Sequence, residues 1–345
     1  MQGPLRRWLT GYGLAYILSL ALLCVSWLTP AAQGDLTRLA GLAEHDFHAR
    51  DQQAVVPVAH LVSVSLNKAD VLVIGDSFST SSNGERRTGL AWQAQLVAAG
   101  LAVATLHWDA VRPLCPDFET RLRQSGFQGH TVILQSVERN VANRLTGDAN
   151  CPVARPLGDS AHVTQAVEMS VTPAIAFHAH ANLLHGAATW FNTRQARRAE
   201  APIQLTAPFA NEAVRVVPLP DGCRWFSHLQ CERGLFLAAD VHARPLSAEL
   251  VDVMRQRNSA PSPWRVVWAI VPDKSTFYGV REAESPQAPL HFANLALAGL
   301  GPDLFSALND LRRDRRDVYL PNDSHLSPVG YQQMGNAILS WIAGR

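Results

Sequence analysis

The sequence predicts an α/β fold: a mostly parallel central sheet covered by helices on both faces, preceded by one transmembrane helix. Three observations carry that expectation. Short, unbroken apolar runs recur along the chain, helical patterns alternate with them, and one uncharged N-terminal stretch is unlike everything after it. An unbroken apolar run of strand length suits a strand buried on both faces, as parallel sheets require. Strands alternating with helices supply the crossovers that set parallel strands side by side.

Arg6 and Arg7 precede an uncharged, leucine-rich run from Gly11 to Leu28, closed by Thr29-Pro30. Eighteen helical residues at about 1.5 Å each extend roughly 27 Å, close to the hydrocarbon thickness of a bilayer. The two arginines keep that end cytoplasmic and send the remainder across the membrane. Ala31 and Ala32 offer a peptidase site, so a cleaved signal peptide competes, although the run is longer than a usual signal core. The expected organisation is a cytoplasmic tip and signal anchor over 1–30 and a polar stalk and lead-in over 31–69. An α/β domain follows over 70–345, with an insertion at about 146–260.

Within that domain Val71–Ile74, Leu101–Leu106, Thr131–Leu134 and Trp264–Val271 read as the core strands. Thr88 caps an expected helix through Leu90–Ala99 that stops at Gly100, and a second helix is expected from Val137 to Leu145. The insertion is rich in proline and harder to read. An amphipathic helix stands out around Asn182–Glu200, with Trp190 and Phe191 apolar and Arg194, Arg197 and Arg198 exposed. The closing helices are Asp303–Arg313 and Ser327–Ile342, with Tyr319-Leu320 extended between them.

At 345 residues, 47% hydrophobic and 17% charged, the chain can bury a large core and is not disordered. Its formal charge of +1 becomes −1 once Arg6 and Arg7 are set aside. A nucleic-acid binder would present a strongly basic face instead. Beyond Cys24 in the apolar run lie Cys115, Cys151, Cys223 and Cys231, an even number compatible with two disulfides in an exported domain. Cys223 with Cys231 would close a short loop and leave Cys115 with Cys151; four buried thiols are the alternative.

Two distant motifs carry the chemistry. Asp70-Val-Leu-Val-Ile-Gly-Asp-Ser77-Phe-Ser79 ends an apolar strand on Gly-Asp-Ser, and Asp323-Ser-His325 sits near the end of the chain. A serine hydroxyl attacks poorly at neutral pH unless a histidine takes its proton, and that imidazole needs an acceptor on its other nitrogen. Ser77 as nucleophile, His325 as general base and Asp323 as its orienting partner meet those needs. The carboxyl rim of a parallel strand is also where ligands bind in open α/β sheets. His178, His180 and His185 suggest no metal site, because no carboxylate pattern accompanies them.

These two segments resemble the first and last motif blocks of the SGNH (GDSL-type) hydrolase superfamily, in that family's chain order. Ile270-Val-Pro-Asp-Lys274-Ser-Thr-Phe-Tyr278, Val137-Glu138-Arg139 and Asn322-Asp-Ser-His-Leu-Ser-Pro-Val-Gly-Tyr331 resemble its alginate O-acetyltransferase branch, periplasmic proteins that acetylate exopolysaccharides. Relative to that branch, the two catalytic segments stand in reversed order. The resemblance implies an SGNH-like three-layer α/β/α sandwich and a Ser acyl-enzyme that passes an acetyl group to hydroxyls of an exported polysaccharide. It implies a polysaccharide acceptor and an acetyl donor, which a membrane acyltransferase partner would supply, and a place at the bacterial inner membrane with the catalytic domain in the periplasm. No cofactor, metal or nucleic acid is expected. A carbohydrate esterase with the same triad is the close alternative, and an inactive polysaccharide-binding component of an export assembly is another.

SGNH enzymes usually carry a glycine after the second strand and an asparagine after the third, both donating to the oxyanion. Here those places read His107-Trp108-Asp109 and Gln135-Ser-Val-Glu-Arg139-Asn140. The Ser77 N–H is the expected donor, with Gln135, Arg139 and Asn140 as further candidates; Arg139 is equally suited to an ion pair with a neighbouring acid. Lys274 and Tyr278 are candidates for a substrate loop or for supporting that loop.

Overall fold

Four apolar runs become four parallel strands, and their carboxyl ends share one rim. The computed structural model describes residues 3–51, 64–80, 92–146, 151, 157, 183–281 and 287–344. Its strands are β1 (Val71–Gly75), β2 (Val103–His107), β3 (Thr131–Val137), β4 (Ile203–Leu205), β5 (Val214–Pro218), β6 (Arg233–Leu237) and β7 (Arg265–Val271). The helices begin with α1 (Gly3–Leu28), α2 (Asp35–Ala40), α3 (Glu44–Phe47), α4 (Ala94–Ala98), α5 (Trp108–Val111), α6 (Phe118–Gln124) and α7 (Glu138–Thr146). They continue with α8 (His185–Arg198), α9 (Ala238–His242), α10 (Ala248–Asn258), α11 (Lys274–Phe277), α12 (Ala288–Leu297), α13 (Leu304–Asp314) and α14 (Pro328–Ala343).

The described residues fall into two compact units that interleave along the chain. One, the sheet unit, takes 64–80, 92–146, 151, 157, 239–281, 287–319 and 325–344. The other, the anchor unit, takes 3–51, 183–238 and 320–324.

In the sheet unit the order is β2-β1-β3-β7, every neighbouring pair parallel. β1 and β3 are buried at every position, which is why their sequences do not alternate between apolar and polar as half-exposed strands do. β3 and β7 stay paired out to Val137 with Val271, three residues beyond Ile74 with Leu134, where the pairing of β1 with β3 ends. The β3–α7 junction therefore overhangs the end of β1. The expected Thr131–Leu134 strand and Val137–Leu145 helix are present with shifted ends, and the helix expected over Leu90–Ala99 is described as α4; Thr88 and Leu90 lie outside the described residues. Ser327 caps α14 by accepting the Gly330 N–H, with Pro328 at its first turn. Cys115 and Cys151 form a disulfide here.

In the anchor unit β4, β5 and β6 form an antiparallel sheet. Leu205 and Leu237 pair with Val214, and Leu235 pairs with Val216, so one face of the sheet is apolar across all three strands. Leu36, Leu39, Ala40, Leu42 and Phe47 pack on that core. This corrects the expected stalk at 31–69: residues 35–47 fold into a core, because Leu36, Leu39 and Ala40 share one helix face. The expected insertion is likewise divided, with 183–238 in the anchor unit and 239–260 in the sheet unit. The buried Glu44 carboxylate accepts the Gln33 N–H, the Thr37 hydroxyl and the Asn322 amide, and so ties three stretches of the chain together. Cys223 and Cys231 form the second disulfide.

α1 is long and apolar enough to cross a membrane and carries no acidic residue. α8 differs from its expected amphipathic form. Gly186, Thr189, Thr193 and Ala196 are buried, whereas Trp190 and Phe191 face outward beside Arg194 and Arg198.

Candidate active site

β1 ends at Gly75, and the chain turns sharply through Asp76, Ser77 and Phe78. The Ser79 and Thr80 N–H groups both donate to the Asp76 carbonyl, at 2.9 and 2.8 Å. The Phe78 N–H donates to Asp76 Oδ1 at 3.1 Å. The Ser77 N–H has no acceptor among the described residues, which leaves it available to an anionic oxygen placed beside Ser77.

The turn is braced from β3. Gln135 Oε1 accepts the Asp76 N–H at 3.1 Å and the Ser79 hydroxyl at 2.6 Å, while Trp92 Nε1 donates to Ser79 Oγ at 3.0 Å. Asp76 Oδ2 reaches the overhanging end of β3, accepting the Val137 N–H at 2.7 Å and lying 3.3 Å from Arg144 Nη2. These contacts fix the direction in which Ser77 leaves the strand.

Ser77 Oγ lies 2.8 Å from His325 Nε2, although 248 residues separate them in sequence. His325 is buried, with its ring tilted against Phe78 at a centroid distance of 4.6 Å. An imidazole held by an aromatic neighbour and already in contact with a hydroxyl is placed to take that proton. Asp323 belongs to the short segment 320–324 of the anchor unit, where its Oδ2 accepts the Asp35 N–H at 3.0 Å.

Gln135 is a strut behind the turn, its carbonyl oxygen taken by two donors. Arg139 is the ion-pair residue: its Nη1 lies 3.0 Å from Asp240 and 2.9 Å from Asp273. Burial alone would lower this guanidinium, but Asp240, Asp273 and Asp76 outweigh it and raise it, so Arg139 stays charged. Asn140 sits half-buried on α7. Lys274 and Tyr278 are buried. Tyr278 packs edge-on to Phe277 and Tyr319 and accepts the Tyr319 N–H, and burial pushes its hydroxyl up. At its carboxyl end β2 runs directly into α5 at the buried Trp108, whose ring carries the Arg144 guanidinium 4.2 Å above it. His178 and His180 lie outside the described residues.

Sequence reading missed the bracing roles of Gln135, Trp92 and Arg144. A polar residue inside a wholly buried strand was the available signal for Gln135, since a buried amide must be hydrogen-bonded. No family model, no curated protein and no solved structure matches the chain.

Proposed function

We propose that this protein is a serine acyltransferase of the SGNH type, transferring an acetyl group to hydroxyls of an exported polysaccharide. The observation that carries the reading is the 2.8 Å approach of Ser77 Oγ to His325 Nε2 at the carboxyl rim of a parallel sheet. In this reading the fold is a three-layer α/β/α sandwich, and α1 is a signal anchor holding it on the periplasmic side of the inner membrane.

Ser77 Oγ attacks the donor's acyl carbon while its proton passes to His325 Nε2. The Ser77 N–H stabilises the oxyanion, and His325 then returns the proton to the leaving group as the carbon–leaving-group bond breaks. A sugar hydroxyl next gives its proton to His325 and attacks the acyl-serine; the acyl–Oγ bond breaks, and His325 returns that proton to Ser77 Oγ. Asp323 orients the imidazole; two peptide units limit its Cα to about 7 Å from that of His325. Water in place of the sugar would give an esterase through the same acyl-enzyme. Without the usual glycine and asparagine donors, the described residues offer the oxyanion few N–H groups, and slow turnover is expected.

Full-length protein is incubated with a chromogenic acetyl ester, with and without an oligosaccharide acceptor. Ester cleavage should fall by about 10³-fold or more in Ser77→Ala and in His325→Asn. Acceptor should divert acetyl groups onto sugar. Cleavage unaffected by Ser77→Ala would sink the proposal, and acetate release undiminished by acceptor would replace transferase with esterase.

A further inference from the structure

We infer that α8 is an interfacial helix, lying with Trp190 and Phe191 in the headgroup region of the same bilayer that α1 enters. The inference starts from the inverted polarity of this helix. Its inward face is small and polar, Gly186, Thr189, Thr193 and Ala196, whereas Trp190 is 61% and Phe191 54% exposed. A helix facing only water would place such residues the other way round, since two outward aromatics forfeit the burial that normally holds a surface helix. Leu183 and Leu184, just before the helix, are exposed as well.

The position of α8 identifies what covers that face. Its first turn is fastened to the last turn of α1: Ser26 Oγ donates to the Leu183 carbonyl at 3.2 Å and accepts the Gly186 N–H at 3.0 Å. Gly186 has to be glycine there, because a Cβ would stand 2.7 Å from the Val25 carbonyl carbon and 2.8 Å from Thr29 Oγ1. Trp27 and Leu28 mark the end of the apolar span. A helix fixed to that end starts at the depth where hydrocarbon gives way to headgroups, and Trp is the residue enriched at that depth. The charges complement the same environment. Arg194 lies 5.4 Å over the Trp190 ring, and Arg198 follows one turn later, so guanidinium groups flank the aromatics where lipid phosphates would be. Arg197, by contrast, is held by Asp46 within the unit.

The inference rests on α1 spanning the bilayer, and the test separates the two claims. Full-length protein carrying Cys24→Ser receives one fluorophore, either through Ile17→Cys or through Phe191→Cys, and is reconstituted into nanodiscs. Lipids bearing a nitroxide at a shallow or a deep acyl position and aqueous iodide serve as quenchers. The expected result is deep-lipid quenching at position 17 and stronger shallow- than deep-lipid quenching at position 191, with iodide quenching at 191 several-fold below that of free fluorophore. Strong lipid quenching at 17 with none at 191 would overturn the interfacial helix while leaving the anchor intact. Absence of lipid quenching at both positions would remove the anchor and the inference together. Iodide protection at 191 without lipid quenching would mean that protein covers the face, and would also overturn the inference.

Discussion

At Gly75 the backbone passes so close to the Ser79 side chain that a Cβ would overlap it and stand 2.7 Å from Gln135 Oε1. Both groups are locked in the Trp92–Ser79–Gln135–Asp76 hydrogen-bond chain and have no room to retreat. Gly75→Ala is therefore expected to lower stability by about 1–3 kcal/mol, as overpacking does. It should also lower ester cleavage, because the added methyl pushes on the turn that aims Ser77. Gln135→Leu leaves the Asp76 N–H and the Ser79 hydroxyl without their acceptor, at about 1–3 kcal/mol. Thermal unfolding and cleavage rates of both variants check these outcomes; a Gln135→Leu protein with unchanged Tm and kcat would refute the bracing role.

The β3–α7 junction depends on buried charge. Glu138 accepts the Leu246 and Asp273 N–H groups, each at 3.0 Å, and Arg139 stands between Asp240 and Asp273. Burial pushes the Asp273 carboxyl well up, Asp240 adds to the shift, and Arg139 opposes it. Arg139→Met removes the opposing charge and should cost about 3–5 kcal/mol near neutral pH. The pH dependence has a definite sign. A carboxyl whose folded pKa is raised contributes no penalty below its unfolded value, and stability is lost as pH rises from there towards the folded value. The destabilisation by Arg139→Met should therefore be smallest near pH 4 and grow towards neutrality, as read from denaturant unfolding across that range. A penalty that does not change with pH would exclude uncompensated Asp240 and Asp273 as its cause.

At the scale of the whole molecule, the two disulfides close loops of different size. Cys115–Cys151 spans 36 residues and Cys223–Cys231 only 8. Loop entropy alone assigns about 4 kcal/mol to the first and about 2.5 kcal/mol to the second. Replacing the 115/151 pair by serine should lower Tm more than replacing the 223/231 pair, as measured by thermal unfolding of the full-length protein. Each unit is also assembled from separated stretches of chain, so its core has no continuous sequence segment to announce it. Residues 31–69 read as a stalk and lead-in for that reason: Leu36, Leu39 and Phe47 look sparse until β4–β6 supply the opposite wall.

What the sequence by itself determined is local. The β1 run and its Gly-Asp-Ser end, the strand–helix alternation, the apolar N-terminal helix and the Ser327-Pro328 cap are all written in neighbouring residues, because period, turn chemistry and capping act over a few positions. Four cysteines outside the apolar run allowed two disulfides, but the sequence left three pairings and four free thiols open, and the structure shows Cys115–Cys151 and Cys223–Cys231. Only the tertiary structure decided that Ser77 meets His325, that Gln135 braces the turn, that Arg139 is held by two acids, and that Trp190 and Phe191 point outward. Those outcomes depend on which distant surfaces pack together, and that is set by burial summed over the whole chain rather than by any one segment.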